Sequence, residues 1–173
     1  MCSKLKNLGK FAKQPMSNLP SFLDDIDIQI LEYLQRDGKL TAKNLADQIN
    51  LTQTPVYERV KKLERNGVIR KYVALLDSEV LNKSLVVFMN ITIREHGGEM
   101  REELVDFLQS LPEVVELYHT SGRYDFMAKV RVGDVKEYRD FLVNKMAATD
   151  NVKDIVSHIV LEDIKYTTEL PLK

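Results

Sequence analysis

Leu51-Thr52-Gln53-Thr54-Pro55-Val56-Tyr57-Glu58-Arg59-Val60-Lys61-Lys62-Leu63-Glu64-Arg65-Asn66-Gly67 contains every signal of one short helix. Thr52 is a good N-cap, and Pro55 falls in the first turn, where a missing N–H does no harm. Asn66-Gly67 supplies the stop. Val56, Val60 and Leu63 recur at helical spacing and form an inner face. At ~100° per residue, Thr54, Glu58, Lys61 and Arg65 then point outward. Gln53 and Tyr57 lie on one flank, Arg59 and Lys62 on the other.

Two further helices precede it. The first has Asp24 as N-cap, Asp27 at the third helical position near the positive helix end, and Gly38 as its stop. Ile26, Ile30, Tyr33 and Leu34 form its apolar stripe. The second starts at the cap Thr41 and buries Leu45 and Ile49. A tight turn over residues 50–52 joins it to the third, which describes a helix-turn-helix. Val68-Ile69 and residues 72–76 read as a short β-hairpin or connecting strand, a wing.

The third helix has the chemistry of a DNA reader. Residues at the start of such a helix meet base edges, and basic residues along its length and flanks meet phosphates. Gln53, Thr54 and Tyr57 are therefore the candidates for base contact. Lys61, Lys62 and Arg65 suit phosphates, Arg59 lies on the same basic flank, and Arg70 and Lys71 follow in the wing. Glu58 stands four residues before Lys62, the spacing of an intrahelical ion pair. The competing reading is a solvated basic helix in a three-helix interaction module.

Charge distribution favours the DNA reading. The 173 residues carry a formal net charge of −1, yet residues 1–76 hold 13 Lys/Arg against 8 Asp/Glu, and the remainder 12 against 18. A basic half followed by an acidic half suits one domain that meets a polyanion and another that avoids it. Cys2 is the only cysteine, which excludes an internal disulfide and a thiolate metal cluster. The longest uncharged apolar run, 84–93, is about half the ~20 residues of a membrane helix. Lys4 and Lys6 are not followed by the apolar core of a signal peptide, so a cytoplasmic protein without membrane contact is expected.

The rest of the chain repeats a pattern. Strands are expected over 85–93, 114–120, 126–132 and 152–164, with helices over 99–111 and 134–147. This order is βαββαβ, a ferredoxin-like sandwich with both helices on one sheet face. The fold class is α+β, an N-terminal winged helix-turn-helix followed by a ferredoxin-like domain. Expected boundaries are a mobile basic tail over 1–20, a DNA-binding domain over 21–76, and an oligomerisation and effector domain over 77–173. With Leu85, Val87, Met89 and Ile91 facing the helices, Val86, Phe88, Met127, Val156 and Val160 remain on the uncovered face. Such a face calls for a second subunit, hence an obligate homodimer.

The sequence resembles the Lrp/AsnC transcription regulators over residues 23–170. The residues that carry the resemblance are Leu23-Asp24-Asp25-Ile26-Asp27, Asp37-Gly38-Lys39, the stretch 51–69, and Ser121-Gly122-Arg123-Tyr124-Asp125. The resemblance implies dimers that assemble further, to an octamer of four dimers, and an amino acid or related small molecule bound between dimers. Its effector loop corresponds to Thr120, Ser121, Gly122, Arg123, Tyr124 and Asp125, with His158 in the last strand contributing to that region. A glycine-containing loop can offer backbone N–H groups to a carboxylate, and Asp125 could pair with an ammonium. The alternative is an ordinary polar turn in which Gly122 supplies positive φ and Asp125 caps a backbone group. For His158 the alternative is a satisfied interface histidine. Residues 146–150 depart from the turn usual in relatives, which leaves the effector's identity open.

An enzyme is disfavoured. His96, His119 and His158 are scattered, and no nucleophile elbow, phosphate loop or metal-ligand spacing is present. No cofactor is expected beyond an amino-acid effector. The alternative function is an architectural, chromatin-like protein that wraps double-stranded DNA without an effector, against which the near-neutral total charge argues.

Overall fold

The computed structural model describes residues 20–95, 97–147 and 149–172. The expected tail over 1–20, apart from Pro20, lies outside this range, as do His96 and Ala148. Two compact units are present, one built from 20–74 together with 167–172, the other from Leu75–Tyr166.

The first unit holds three helices, α1 (Asp25–Arg36), α2 (Ala42–Gln48) and α3 (Gln53–Arg65). Helix α1 opens with a reciprocal capping box. The Asp27 N–H donates to Asp24 Oδ1 at 2.9 Å, and the Asp24 N–H donates to Asp27 Oδ2 at 3.3 Å. Thr41 caps α2 through its hydroxyl oxygen. Thr52 has extended N-cap backbone but makes no side-chain cap bond. Asn50 (φ 55°) and Gly67 (φ 71°) take left-handed conformations in the turns that bracket α3, the conformations that Asn and Gly tolerate best. Ile30, Leu31, Leu45, Ala46, Val56 and Leu63 form the core, with Leu34, Ile49 and Val60 packed around it.

The wing departs from expectation. Residues 68–76 contain no strand, because neither arm finds a β-partner among the described residues. Val68 and Ile69 pack onto the core instead, and Tyr72 lies against Gly38, where an added Cβ would stand 3.3 Å from its ring. The last residues also return to this unit. Gln35 Nε2 donates to the Leu170 carbonyl at 3.2 Å, and the Leu170 N–H donates to Gln35 Oε1 at 2.6 Å. Leu172 packs on the core, so 167–172 groups with the helices and not with the domain expected over 77–173.

The second unit is α+β, with β1 (Leu85–Ile93), α4 (Gly98–Ser110), β2 (Val114–His119), β3 (Phe126–Val132), α5 (Val135–Phe141) and β4 (Val152–Ile159). Its sheet is antiparallel in the order β2-β3-β1-β4, the ferredoxin-like arrangement. The helix expected to run to 147 changes character after Phe141, continuing as one π-helical turn over Leu142–Met146. Strand β4 ends five residues earlier than expected, although the Val160 N–H just beyond it still donates to the Val86 carbonyl of β1 at 2.9 Å. Val87, Met89, Ile91, Ile93, Phe126, Ala128, Val130 and Val132 face α4 and α5, meeting Leu104, Leu108, Tyr138, Phe141 and Met146. Burial raises the Tyr138 phenol pKa, and its hydroxyl lies 2.7 Å from Ser157 Oγ.

The opposite sheet face is mixed. Cross-strand register places His158, Phe88, Lys129 and Glu116 in one row, and Val156, Asn90, Met127 and Tyr118 in the next. Lys129 and Glu116 pair at 2.9 Å, and the bond from Tyr118, followed by that from Lys129, holds the Glu116 carboxyl below its usual range.

Candidate functional site

Helix α3 is anchored by its apolar positions. Val56 is 0% exposed and Leu63 1%, and Val60 is half-buried. This roll of the helix exposes Gln53, Thr54, Tyr57, Glu58, Lys61 and Arg65 together. The three candidates for base contact thus sit within the first turn and a half of one open face, where a recognition helix meets base edges. Lys61 and Arg65 continue that face toward the C-terminus. The Lys61 ammonium also stands 5.8 Å from the centre of the Tyr57 ring.

The other flank is engaged inside the protein. Arg59 Nη1 donates to Asp24 Oδ2 at 2.6 Å and to Asp27 Oδ1 at 2.7 Å. Bonding to Asp27, then to Asp24, raises the Arg59 pKa. Lys62 Nζ donates to the Phe22 carbonyl at 3.3 Å. Of the seven sequence candidates on this helix, five are therefore brought to one surface, and Arg59 and Lys62 reach back to the start of α1. Sequence spacing placed these two on a flank without showing what the flank faces. The missed signal was the Asp24/Asp27 pair, two acids at a helix start with a cation to match.

The loop between β2 and β3 is tightly made. The Thr120 N–H donates to the Asp125 carbonyl at 2.9 Å, and the Thr120 hydroxyl donates to the Tyr124 carbonyl at 2.8 Å. Asp125 Oδ2 accepts the Ile93 N–H at 2.9 Å, and the Asp125 N–H donates to the Ile91 carbonyl at 3.0 Å. Asp125 therefore caps backbone and ties the loop to the end of β1. Gly122 at φ 123° occupies a region that side chains disfavour. Ser121, Gly122 and Arg123 are exposed, and the Arg123 guanidinium lies 5.4 Å from the Tyr124 ring centre. His158 is exposed on the open sheet face, paired in register with Phe88 and remote in sequence from the loop.

Several hollows open beside the helices of this unit. One, about 520 Å³, is lined by Met100, Leu104 and Phe107 of α4 with Asn144, Lys145 and Asn151 opposite. Another, about 380 Å³, includes Arg101, Asp106, Leu117, His119 and Phe126. No cluster of metal-ligating side chains occurs among the described residues, and no described helix is long and apolar enough to cross a membrane.

A helix-turn-helix with an open polar reading face, joined to a separate ferredoxin-like domain, defines a class of DNA-binding regulator. Residues 23–70 match a winged helix-turn-helix DNA-binding domain, and residues 86–170 match the Lrp/AsnC ligand binding domain. The chain is 40% identical over 151 residues to the leucine-responsive regulatory protein of Haemophilus influenzae, covering 87% of this chain and 91% of the relative. It is 36% identical over 151 residues to the DNA-binding transcriptional activator DecR of Escherichia coli, covering 87% and 99%. Among solved structures, a transcriptional regulator of Neisseria meningitidis in complex with L-Met superposes with a TM-score of 0.83 at 34% identity, covering 87% of this chain and 97% of that one. An AsnC family transcriptional regulator of Agrobacterium tumefaciens gives 0.83 at 39% identity with the same coverage. The chain belongs to the Lrp/AsnC family, and it is a DNA-binding transcription regulator.

Proposed function

We propose that this protein reads a roughly palindromic DNA site with paired α3 helices and that a free amino acid changes its DNA affinity or its assembly. The observation that carries the first part is the exposure of Gln53, Thr54 and Tyr57 on one face that Val56 and Leu63 fix from behind. Gln53 and Thr54 supply donors and acceptors for base edges, and Lys61 and Arg65 supply charge for phosphates. The protein works in the cytoplasm and lowers or raises transcription without chemistry of its own.

The effector reading rests on the match to a ligand binding domain and on the Neisseria relative's complex with L-Met. In this reading the backbone of Ser121, Gly122 and Arg123 meets the ligand carboxylate, with Thr120 and Tyr124 holding the loop shape. Asp125 braces the loop through Ile93, which favours a positioning part for it over direct pairing with the ligand ammonium. His158 belongs to the open sheet face, where Phe88, Met127 and Val156 suit a homodimer contact, and dimers assemble onward to an octamer.

Isothermal titration with L-Met, L-Leu and pooled amino acids tests the effector part. Saturable binding that Gly122→Ala weakens supports it. Absence of heat with every pool, together with unchanged DNA binding, leaves a regulator without an amino-acid effector and rejects it.

A further inference from the structure

The Asp24, Asp27 and Arg59 side chains form a closed network. Each carboxylate commits one oxygen to the capping box and the other to Arg59: Asp24 Oδ1 takes the Asp27 N–H, Asp27 Oδ2 takes the Asp24 N–H, and Arg59 Nη1 bridges the remaining pair at 2.6 and 2.7 Å. Asp27 is 1% exposed, whereas the Arg59 side chain is 28% exposed. Arg59 cannot turn to a DNA phosphate without leaving a buried carboxylate unpaired, which is a strongly unfavourable change. Lys62, one turn further along α3, points the same way and donates to Phe22.

Apart from these bonds and that of the Tyr72 hydroxyl to Glu64, the side-chain contact made by α3 among the described residues is apolar. Val56, Val60 and Leu63 hold the helix against its neighbours, yet apolar packing is non-directional and permits some roll about the helix axis. A charged, two-acceptor hydrogen bond is directional. With side chains ~5–6 Å from the axis, a 10° roll moves a reading side chain by about 1 Å. That displacement is enough to spoil a base-edge hydrogen bond, whose length tolerance is a few tenths of an ångström.

We infer that Arg59 is a positioning residue for sequence reading: its bridge to Asp24 and Asp27 fixes the roll of α3 and so sets the register of Gln53, Thr54 and Tyr57 without touching DNA. This inference rests on the assignment of α3 as the reading helix. It makes the start of α1 part of the specificity apparatus, and it removes Arg59 from the set of phosphate ligands.

The test uses the full chain and two labelled duplexes of equal length, one selected from genomic fragments with the wild-type protein and one scrambled. Affinities are measured over a range of salt for wild type, Arg59→Met and the double variant Asp27→Asn/Arg59→Met. The double variant removes the buried carboxylate that the single change would strand, so folding is kept. Expected is a loss of about ten-fold or more on the selected duplex in both variants, with the scrambled duplex within two-fold of wild type and the salt slope unchanged. A slope reduced by about 0.9, the signature of one lost phosphate contact, overturns the inference. So does wild-type discrimination in the folded double variant. Gln53→Ala and Thr54→Ala are measured alongside: if they leave discrimination intact, it is the base-reading assignment of those residues that fails, whatever Arg59 does.

Discussion

Lys61 Nζ lies 2.8 Å from Glu64 Oε2 on the exposed side of α3, while the Tyr72 hydroxyl donates to the other carboxylate oxygen of Glu64 at 3.2 Å. The bond from Lys61 holds the Glu64 carboxyl below its usual range, and the same contact raises the Lys61 pKa. On the proposed reading, Glu64 in the free protein holds the place at Lys61 that a phosphate takes in the complex. Lys61→Ala should weaken binding to all duplexes and reduce the salt slope by about 0.9. Glu64→Gln should strengthen binding by roughly two-fold, because an exposed helix pair is weak. Salt-dependent anisotropy titrations check both, and an unchanged slope in Lys61→Ala would remove it from the phosphate contacts.

Gly122 at φ 123° has open space around it, so a side chain there meets no clash but a strained backbone. Gly122→Ala should cost about 1–3 kcal/mol and reshape the loop that Thr120 and Asp125 close. Thermal unfolding of the variant measures the cost, and a change under 0.3 kcal/mol would mean the loop relaxes freely.

The Gln35 side-chain amide acts as a β-bridge to Leu170, accepting and donating one bond each. Gln35→Ala should destabilise the unit formed by 20–74 and 167–172 by about 1 kcal/mol. Hydrogen exchange at the Leu170 amide should accelerate in the variant. Exchange as slow as in wild type would show that Leu172 and the Arg36–Glu169 pair at 3.7 Å hold the segment unaided.

Acid should loosen the first unit through Asp24. Its carboxyl is held below the usual range by the Asp27 backbone N–H and, beyond that, by Arg59. A depressed folded pKa stabilises the protein above the unfolded value of about 3.9. That stabilisation is lost as pH falls through the folded value. Asp24→Asn should therefore be less stable than wild type at pH 7 and converge with it near the acid limit. A stability gap that persists unchanged at low pH would place the loss in packing and not in charge.

Phe88 and Val156 should lie in a subunit interface if the open sheet face is covered by a second copy. Phe88→Glu should shift sedimentation at micromolar concentration toward a slower species. Sedimentation identical to wild type would place the interface elsewhere.

Much of this architecture was legible because local signals agreed. Strands β1 and β3 fall at their expected ends; burial alternates without a break over Phe126–Val132, and in β1 from Val87 onward, with Val86 buried beside it. The three N-terminal helices follow from Asp24, Thr41, Pro55 and Gly67. What escaped was tertiary. Ile28, at 1% exposure, and Leu31 are buried although the apolar stripe of α1 was drawn through Ile26, Ile30, Tyr33 and Leu34. Arg59 and Lys62 had the right flank but an internal partner, a fact that only the packing of α3 against α1 reveals. Asp125 was read as either a ligand partner or a backbone cap, and its bond to Ile93 depends on a strand 32 residues away.

On the proposed reading, the exposed start of α3 reads DNA sequence. The direct measurement is an anisotropy titration of the selected duplex, at fixed salt and with excess unrelated DNA, for wild type and for Gln53→Ala/Thr54→Ala. Wild type should show competitor-resistant binding that the variant loses, while binding to unrelated DNA stays within two-fold. Equal resistance in both proteins, or wild-type binding stripped by competitor, would contradict that reading.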